Sequence, residues 1–188
     1  MRASVSPSTQ TQRWLLPLLV GVSIFVLDQM SKAWAVNVLG PEPHQRSLYL
    51  FDDWLILIYT RNTGVAFGLF QNLSALFIVT SLLITGGLIY AYIAYLPNQR
   101  RLIQGATGLI VGGALGNVLD RIRLGYVVDF ISVGWWPVFN LADSAITVGT
   151  LTLATYLIFV GDEPAPAPLP PPRDDTLLGE LLSKDVEV

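Results

Sequence analysis

The stretch LSALFIVTSLLITGGLIYAYIAYL, residues 73–96, decides the fold. It contains no charged side chain. A bilayer core of about 30 Å takes about 20 apolar residues in a helix that rises 1.5 Å per residue. Three more stretches reach that length. One covers about 14–36, with Pro17 early and Asp28 late; a glycine-rich one covers about 102–119; the last covers about 141–160, with Asp143 at its start as its one charge. Composition agrees: 52% of residues are hydrophobic and 13% charged, against about 25% charged in soluble domains. Mean hydropathy is +0.54. The expected class is an all-α membrane protein with four transmembrane helices.

The first stretch reads as a retained helix. Its apolar run is longer than the ~7–15 residues of a signal-peptide core, and no small-x-small cleavage site follows Asp28 closely. Segment 37–72 contains Pro41, Pro43 and the apolar run Trp54–Tyr59, which lacks alternation and suggests a short strand covered on both faces or lying at the membrane surface. The loop Pro97–Arg101 is short. Residues 120–140 hold a second β-branched run, Tyr126–Ile131. Residues 162–188 form a tail with six prolines between 164 and 172, expected to be disordered. A weak amphipathic piece, Thr176–Ser183, follows.

The net charge of −3 belongs to this tail. Asp162, Glu163, Asp174, Asp175, Glu180, Asp185 and Glu187 face only Arg173 and Lys184 there, so residues 1–161 are slightly basic. Four spans put both termini on one side, with Arg2, Arg13, Arg100 and Arg101. Lys32, Arg46, Arg61, Arg121 and Arg123 fall on the other. The positive-inside count is nearly balanced, and the short Arg100-Arg101 loop favours cytoplasmic termini.

Charges in or beside the spans are few: Asp28, Lys32, Asp120, Arg121, Asp129 and Asp143. The alternation of four spans gathers all six at one membrane face. Each also has a structural explanation. Asp28 and Lys32 are spaced for an intrahelical ion pair. Asn140 fits a helix N-cap, with Asp143 in the first turn. Asp120 and Arg121 fit an interface pair with Arg121 reaching toward water. Gly112, Gly113 and Gly116 fit close helix packing. Asp129 is harder to explain this way, because it interrupts the apolar run Val127–Ile131 and needs a partner there.

Two aspartates at one face suggest an acid–base pair, in which repulsion and desolvation raise one pKa so that one carboxyl donates while the other accepts. Other hydrolytic devices find little support. The chain has no cysteine and a single histidine, His44. It has no His-Glu-x-x-His or Gly-x-Ser-x-Gly motif, and Ser31 directly precedes Lys32, a poor arrangement for a Ser–Lys dyad. No metal or cofactor is expected.

Five blocks then occur in order: Asp28, Gln29, Ser31 and Lys32; Asn62 to Gly68; Gly112, Gly113, Gly116, Asn117, Asp120 and Arg121; Val127 to Phe130; and Phe139, Asn140, Ala142, Asp143 and Ser144. Together they resemble the lipoprotein signal peptidases, or signal peptidase II, over residues 14–160. The resemblance implies an aspartic endopeptidase of the bacterial inner membrane that cuts diacylglyceryl-modified prolipoproteins just before the lipidated cysteine. By motif position it implies Asp129 and Asp143 as the catalytic dyad. Asn62, Asn117, Arg121 and Asn140 would surround it and hydrogen-bond the substrate backbone or peptide inhibitors such as globomycin, with Asn62 or Arg121 as the candidate oxyanion donor. Asp28, Lys32, Asp120 and Gly113 would brace the site. The resemblance further implies a small extracytoplasmic β-cradle from segment 41–68, cytoplasmic termini and a site near the outer leaflet. The implied partners are the prolipoproteins and membrane lipid, with no nucleic acid, and the enzyme is expected to be a monomer. Ser31 and Val65 stand where threonine and alanine are common in the family.

Two other classes compete. A small ion- or proton-coupled transporter subunit would also use aspartates near helix ends, although no inverted repeat is evident. An assembly factor without catalysis would tolerate Asp129→Asn.

Overall fold

Lipid offers the backbone no hydrogen-bond partners, so an apolar span must satisfy its own N–H and C=O groups as a helix. The computed structural model describes residues 7–41, 45–64 and 73–160. Four helices within it are long and apolar enough to cross a membrane. They are α1 (Pro7–Leu39), α2 (Leu73–Ala94), α3 (Arg101–Leu124) and α4 (Leu141–Thr155), the last continued by a wider π-helical turn over Tyr156–Val160. The expected residues Val65–Gly68, His44 and the tail from 162, with its amphipathic piece, lie outside the described residues.

The helix ends differ from the expected ones for identifiable reasons. Helix α1 starts seven residues earlier, at Pro7, a residue suited to a first helical turn. Helix α2 stops at Ala94, just ahead of Pro97, which disfavours helix in the residue before it. Helix α3 runs five residues past 119 because its charged end is accommodated by partners on other elements. It stops at Gly125, whose φ of 82° is easy only for glycine and whose N–H donates to the Arg121 carbonyl.

Helix α3 is the centre of the bundle and packs against α1, α4 and α2. Its glycines make this possible. A Cβ on Gly108 would lie 2.7 Å from the Pro17 carbonyl oxygen, and Gly112 packs directly on the Gly21 backbone. On the other face, a Cβ on Gly113 would lie 2.6 Å from the Ala142 carbonyl oxygen. One on Gly116 would sit 2.5 Å from Asp28 Oδ2. Gly116→Ala is therefore expected to destabilise the protein by about 1–3 kcal/mol, as overpacking does. Thermal unfolding in detergent checks this against Gly86→Ala, where nothing lies within 4 Å of the added methyl.

Pro17 shows how α1 is seated. Proline has no N–H, so the Arg13 carbonyl one turn earlier loses its helical donor. The Tyr92 hydroxyl, on fully buried Tyr92 of α2, donates to that carbonyl instead.

A three-stranded antiparallel sheet sits at the other end of the bundle, in the order β1 (Ser47–Phe51), β2 (Leu55–Asn62), β3 (Val127–Val133). Of the expected run 54–59, Leu55–Tyr59 lies in β2, half-buried along both faces up to buried Tyr59, while Trp54 sits in the turn before it and is exposed. The cradle is not confined to segment 41–68. Its third strand is the β-branched run after α3, and β3 is the best-buried strand because it lies against the helices. Ala35 and Leu39 of α1 pack with Tyr59, Val128 and Phe130 to join sheet and bundle.

Candidate active site

Strand β3 carries Asp129 opposite Thr60 of β2, and it is 1% exposed. The chain leaves β3 through Gly134, at φ 50°, and returns so that Phe139 exchanges backbone hydrogen bonds with Ile131. That hairpin delivers Asn140 beside Asp129 at the start of α4. Asn140 and Asp143 form a capping box, in which Asp143 N–H donates to Asn140 Oδ1 at 2.9 Å and Asn140 N–H donates to Asp143 Oδ2 at 3.2 Å. The capping expected of Asn140 is thus present, and the same bonds fix the Asp143 carboxylate.

Each aspartate is held by Asn140 and by one further asparagine. Asn140 Nδ2 donates to Asp129 Oδ1 at 2.7 Å, and Asn62 Nδ2 donates to Asp129 Oδ2 at 2.8 Å. Asn117 Nδ2 donates to Asp143 Oδ1 at 2.8 Å. The Asn62 amide is oriented from behind, since its Oδ1 accepts from Gly64 N–H at 2.8 Å. Asn140 is fully buried, whereas Asn62 is exposed and leaves the site open on the sheet side.

Behind the asparagines lies a buried ionic cluster. Lys32 Nζ is 2.8 Å from Asp28 Oδ2, 2.9 Å from Asp120 Oδ2 and 2.8 Å from Asn117 Oδ1, so all three ammonium protons have acceptors. The expected Asp28–Lys32 pair is present, but it is one edge of this larger cluster. Asp120 bonds Lys32 rather than taking its neighbour Arg121 as an interface pair. It also accepts from the Val128 N–H, which ties α3 to β3. Asp28 Oδ1 accepts from the Ala142 N–H at 3.0 Å, meeting one of the unsatisfied donors of the first turn of α4.

Arg121 does not reach toward water as expected. Its guanidinium lies 5.2 Å from the Phe77 ring centre, its Nη1 donates to the Asn117 carbonyl, and its buried Nε has no partner among the described residues. The charges of both Asp143 and Asp129 act on it. Gly113 braces the site by shape, since its bare Cα lets the Ala142 turn approach.

Burial pushes the Asp129 carboxyl up from 3.8 to about 6. The Asn62 and Asn140 bonds oppose the rise, and the charge of Asp143 adds to it. Among the described residues no three His, Cys, Asp or Glu side chains are grouped as metal ligands.

All ten expected site residues therefore meet around the start of α4. Sequence reasoning gave no role to Gln29, whose Nε2 lies within hydrogen-bond reach of Asp28, Asp120 and the Gly116 carbonyl. Its signal was a polar amide next to Asp28 inside an apolar span. Ser144 likewise stood only as a member of the last motif block; its hydroxyl donates to the Asn140 carbonyl.

Residues 20–159 match the family described as Signal peptidase (SPase) II. A lipoprotein signal peptidase of Syntrophomonas wolfei is 43% identical over 139 residues, covering 73% of this chain and 89% of that protein. One of Moorella thermoacetica is 39% identical over 146 residues, covering 78% and 95%. A bacterial membrane enzyme solved by the in meso method at 1.9 Å superposes with a TM-score of 0.69 at 29% identity, covering 76% of this chain and 92% of that one. These relatives lend no support to the ion-coupled transporter.

Proposed function

The chain belongs to the signal peptidase II family, and on that premise we propose that it is an aspartic endopeptidase in which Asp129 and Asp143 activate water. It is a membrane peptidase that removes signal peptides from prolipoproteins. The observation that carries the catalytic assignment is the double hold of Asn140. Its side chain grips Asp129 and its backbone N–H grips Asp143, so two carboxyl groups are fixed at one opening.

The dyad holds one proton, and burial favours its residence on Asp129. Half-buried Asp143 is the base. It takes a proton from water as the water oxygen adds to the scissile carbonyl carbon, while Asp129 gives its proton to the carbonyl oxygen. The tetrahedral diol then collapses. The C–N bond breaks as the leaving nitrogen takes the proton from Asp143, and a diol hydroxyl returns a proton to Asp129. The products are a carboxylic acid and an amine, and the dyad is restored. The second Asn62 N–H and the outer guanidinium N–H groups of half-buried Arg121 are the donors available to the substrate backbone.

The substrate is a diacylglyceryl-modified prolipoprotein cut just before its lipidated cysteine. The termini lie in the cytoplasm, the dyad lies near the outer leaflet, and the enzyme acts as a monomer. An anchor that stays in the bilayer restricts the peptide bond's search for the dyad. Cleavage in detergent micelles tests this reading, with a lipidated substrate and its unlipidated twin. Cleavage of the lipidated form alone supports it; equal cleavage of both removes the lipid from recognition.

The proposed proton also predicts a pH profile. Asp129 must carry it for the first step, so kcat/KM falls as pH rises through about 6, the pKa of the free enzyme. In kcat the limb moves to higher pH, because bound peptide removes water and further disfavours the carboxylate. The same shift acts on stability. The folded pKa is raised, so the contribution of Asp129 is fully present below its ordinary 3.8 and is lost as pH rises toward about 6. An activity that rises with pH through this range would assign the proton to the other role.

A further inference from the structure

An apolar groove runs along the membrane-embedded face of the bundle, away from the dyad. Trp14, Leu18, Val22 and Phe25 of α1 form one wall, and Val111 and Leu115 of α3 form the other. The α1 residues are spaced four, four and three apart, so they share one helix face. The groove has a volume of about 360 Å³. From Trp14 to Phe25 it extends roughly 16 Å at 1.5 Å per residue, a length along which a single hydrocarbon chain can lie.

The two ends of the groove differ. The Phe25 end is apolar. At the Trp14 end, the Trp14 ring packs on Tyr92 at 5.1 Å, and Tyr92 reaches the α2–α3 turn through the Asn98 carbonyl. This end of the bundle therefore carries Arg13, Arg100 and Arg101, with no acidic residue in 7–14 or 95–104, while Asp162 and Glu163 follow α4 in the sequence. Arg100 and Arg101 are exposed. Thr107 lines the groove, is 1% exposed, and its hydroxyl has no partner among the described residues. It lies about 9 Å along α3 from Arg101, a depth suited to the ester linkage below a lipid headgroup.

We propose that this groove binds one acyl chain of an anionic phospholipid from the bilayer, with the headgroup on Arg13, Arg100 and Arg101. The apolar channel sets the chain, the arginines set the charge of the headgroup, and the orphan Thr107 hydroxyl sets the register between them. The bound chain fills the channel beside the α1–α3 contact. That contact seats Asp28 and Lys32, so the lipid supports the site from behind without touching it.

Trp14 provides the probe. The full-length protein is placed in bilayer discs of phosphatidylcholine containing increasing fractions of phosphatidylglycerol, with bromine on the acyl chains of one lipid at a time. Trp14 fluorescence is isolated by subtracting Trp14→Phe. Brominated phosphatidylglycerol is expected to quench Trp14 at a much lower fraction than brominated phosphatidylcholine. Arg13→Gln, Arg100→Gln and Arg101→Gln should each weaken that preference by about fivefold, the usual effect of one basic side chain at an anionic surface. Val111→Phe, which fills the channel, should reduce quenching by both lipids. Equal quenching by both lipids in the wild type would overturn the proposal. So would displacement of the brominated lipid by a diacylglyceryl peptide, which would give the groove to the substrate. Loss of quenching in a dimer would give it to a second copy.

Discussion

Asp143→Asn is expected to abolish cleavage, by about 10⁴-fold or more in kcat, while the protein remains folded. Asparagine keeps the shape of the side chain and retains a carbonyl oxygen for the Asn140 N–H, so the start of α4 survives. It cannot take a proton from water. Asp129→Asn is expected to be as damaging for the opposite reason, since an amide cannot donate a proton to the carbonyl oxygen and recover it. The double variant should be no worse than either single one, because groups that act as a unit lose their effect together. Single-turnover cleavage of a lipidated substrate, with thermal unfolding as the folding control, measures all three. Substantial cleavage by either folded single variant would remove the dyad and leave the peptidase without its proposed chemistry.

Lys32→Met is expected to be the most destabilising single change in the bundle. Lys32 is 3% exposed and bonds Asp28 at 0% and Asp120 at 4%. Removing the one cation leaves two buried carboxylates facing each other, and breaking a buried pair costs about 3–5 kcal/mol. Asn117 also loses one of the two donors on its Oδ1 and keeps only Asn140 Nδ2, so its grip on Asp143 loosens. Stability and cleavage should therefore fall together. Adding Asp28→Asn should restore part of the stability, because it removes one stranded charge and keeps an oxygen for the Ala142 N–H. Thermal unfolding of the single and double variants gives the coupling. A Lys32→Met protein as stable as the wild type would mean that the cluster is hydrated.

These two expectations draw on different kinds of information. The need for two carboxyls at one membrane face was legible in the sequence. Hydropathy is additive over a window, so a run such as 73–96 declares a span wherever it occurs. Four spans then fix which ends share a side, and that alone brings Asp28, Lys32, Asp120, Arg121, Asp129 and Asp143 to one face. Capping is equally local, and Asn140 with Asp143 three residues on was readable as a helix start.

Partner choice was not readable. Asp120 has Arg121 beside it in sequence and takes Lys32 instead, because α1 and α3 meet through glycine. The Arg13 carbonyl, left open by Pro17, is met by a tyrosine 79 positions away. The third strand of the sheet comes from beyond α3, and no alternation in Tyr126–Ile131 announced its neighbour. The sequence by itself determined the four spans, the face that carries the charges and the residue types available for chemistry, because these depend on side chains within a turn or two of each other. Only the tertiary structure decided which oxygen meets which donor. Lys32 and Asn117 are 85 residues apart and Asp28 and Ala142 are 114 apart, yet each pair meets within 3.0 Å. Hydrogen bonds reach little further than that, to about 3.2 Å, so their pairing is set by how closely the helices pack, which no local pattern encodes.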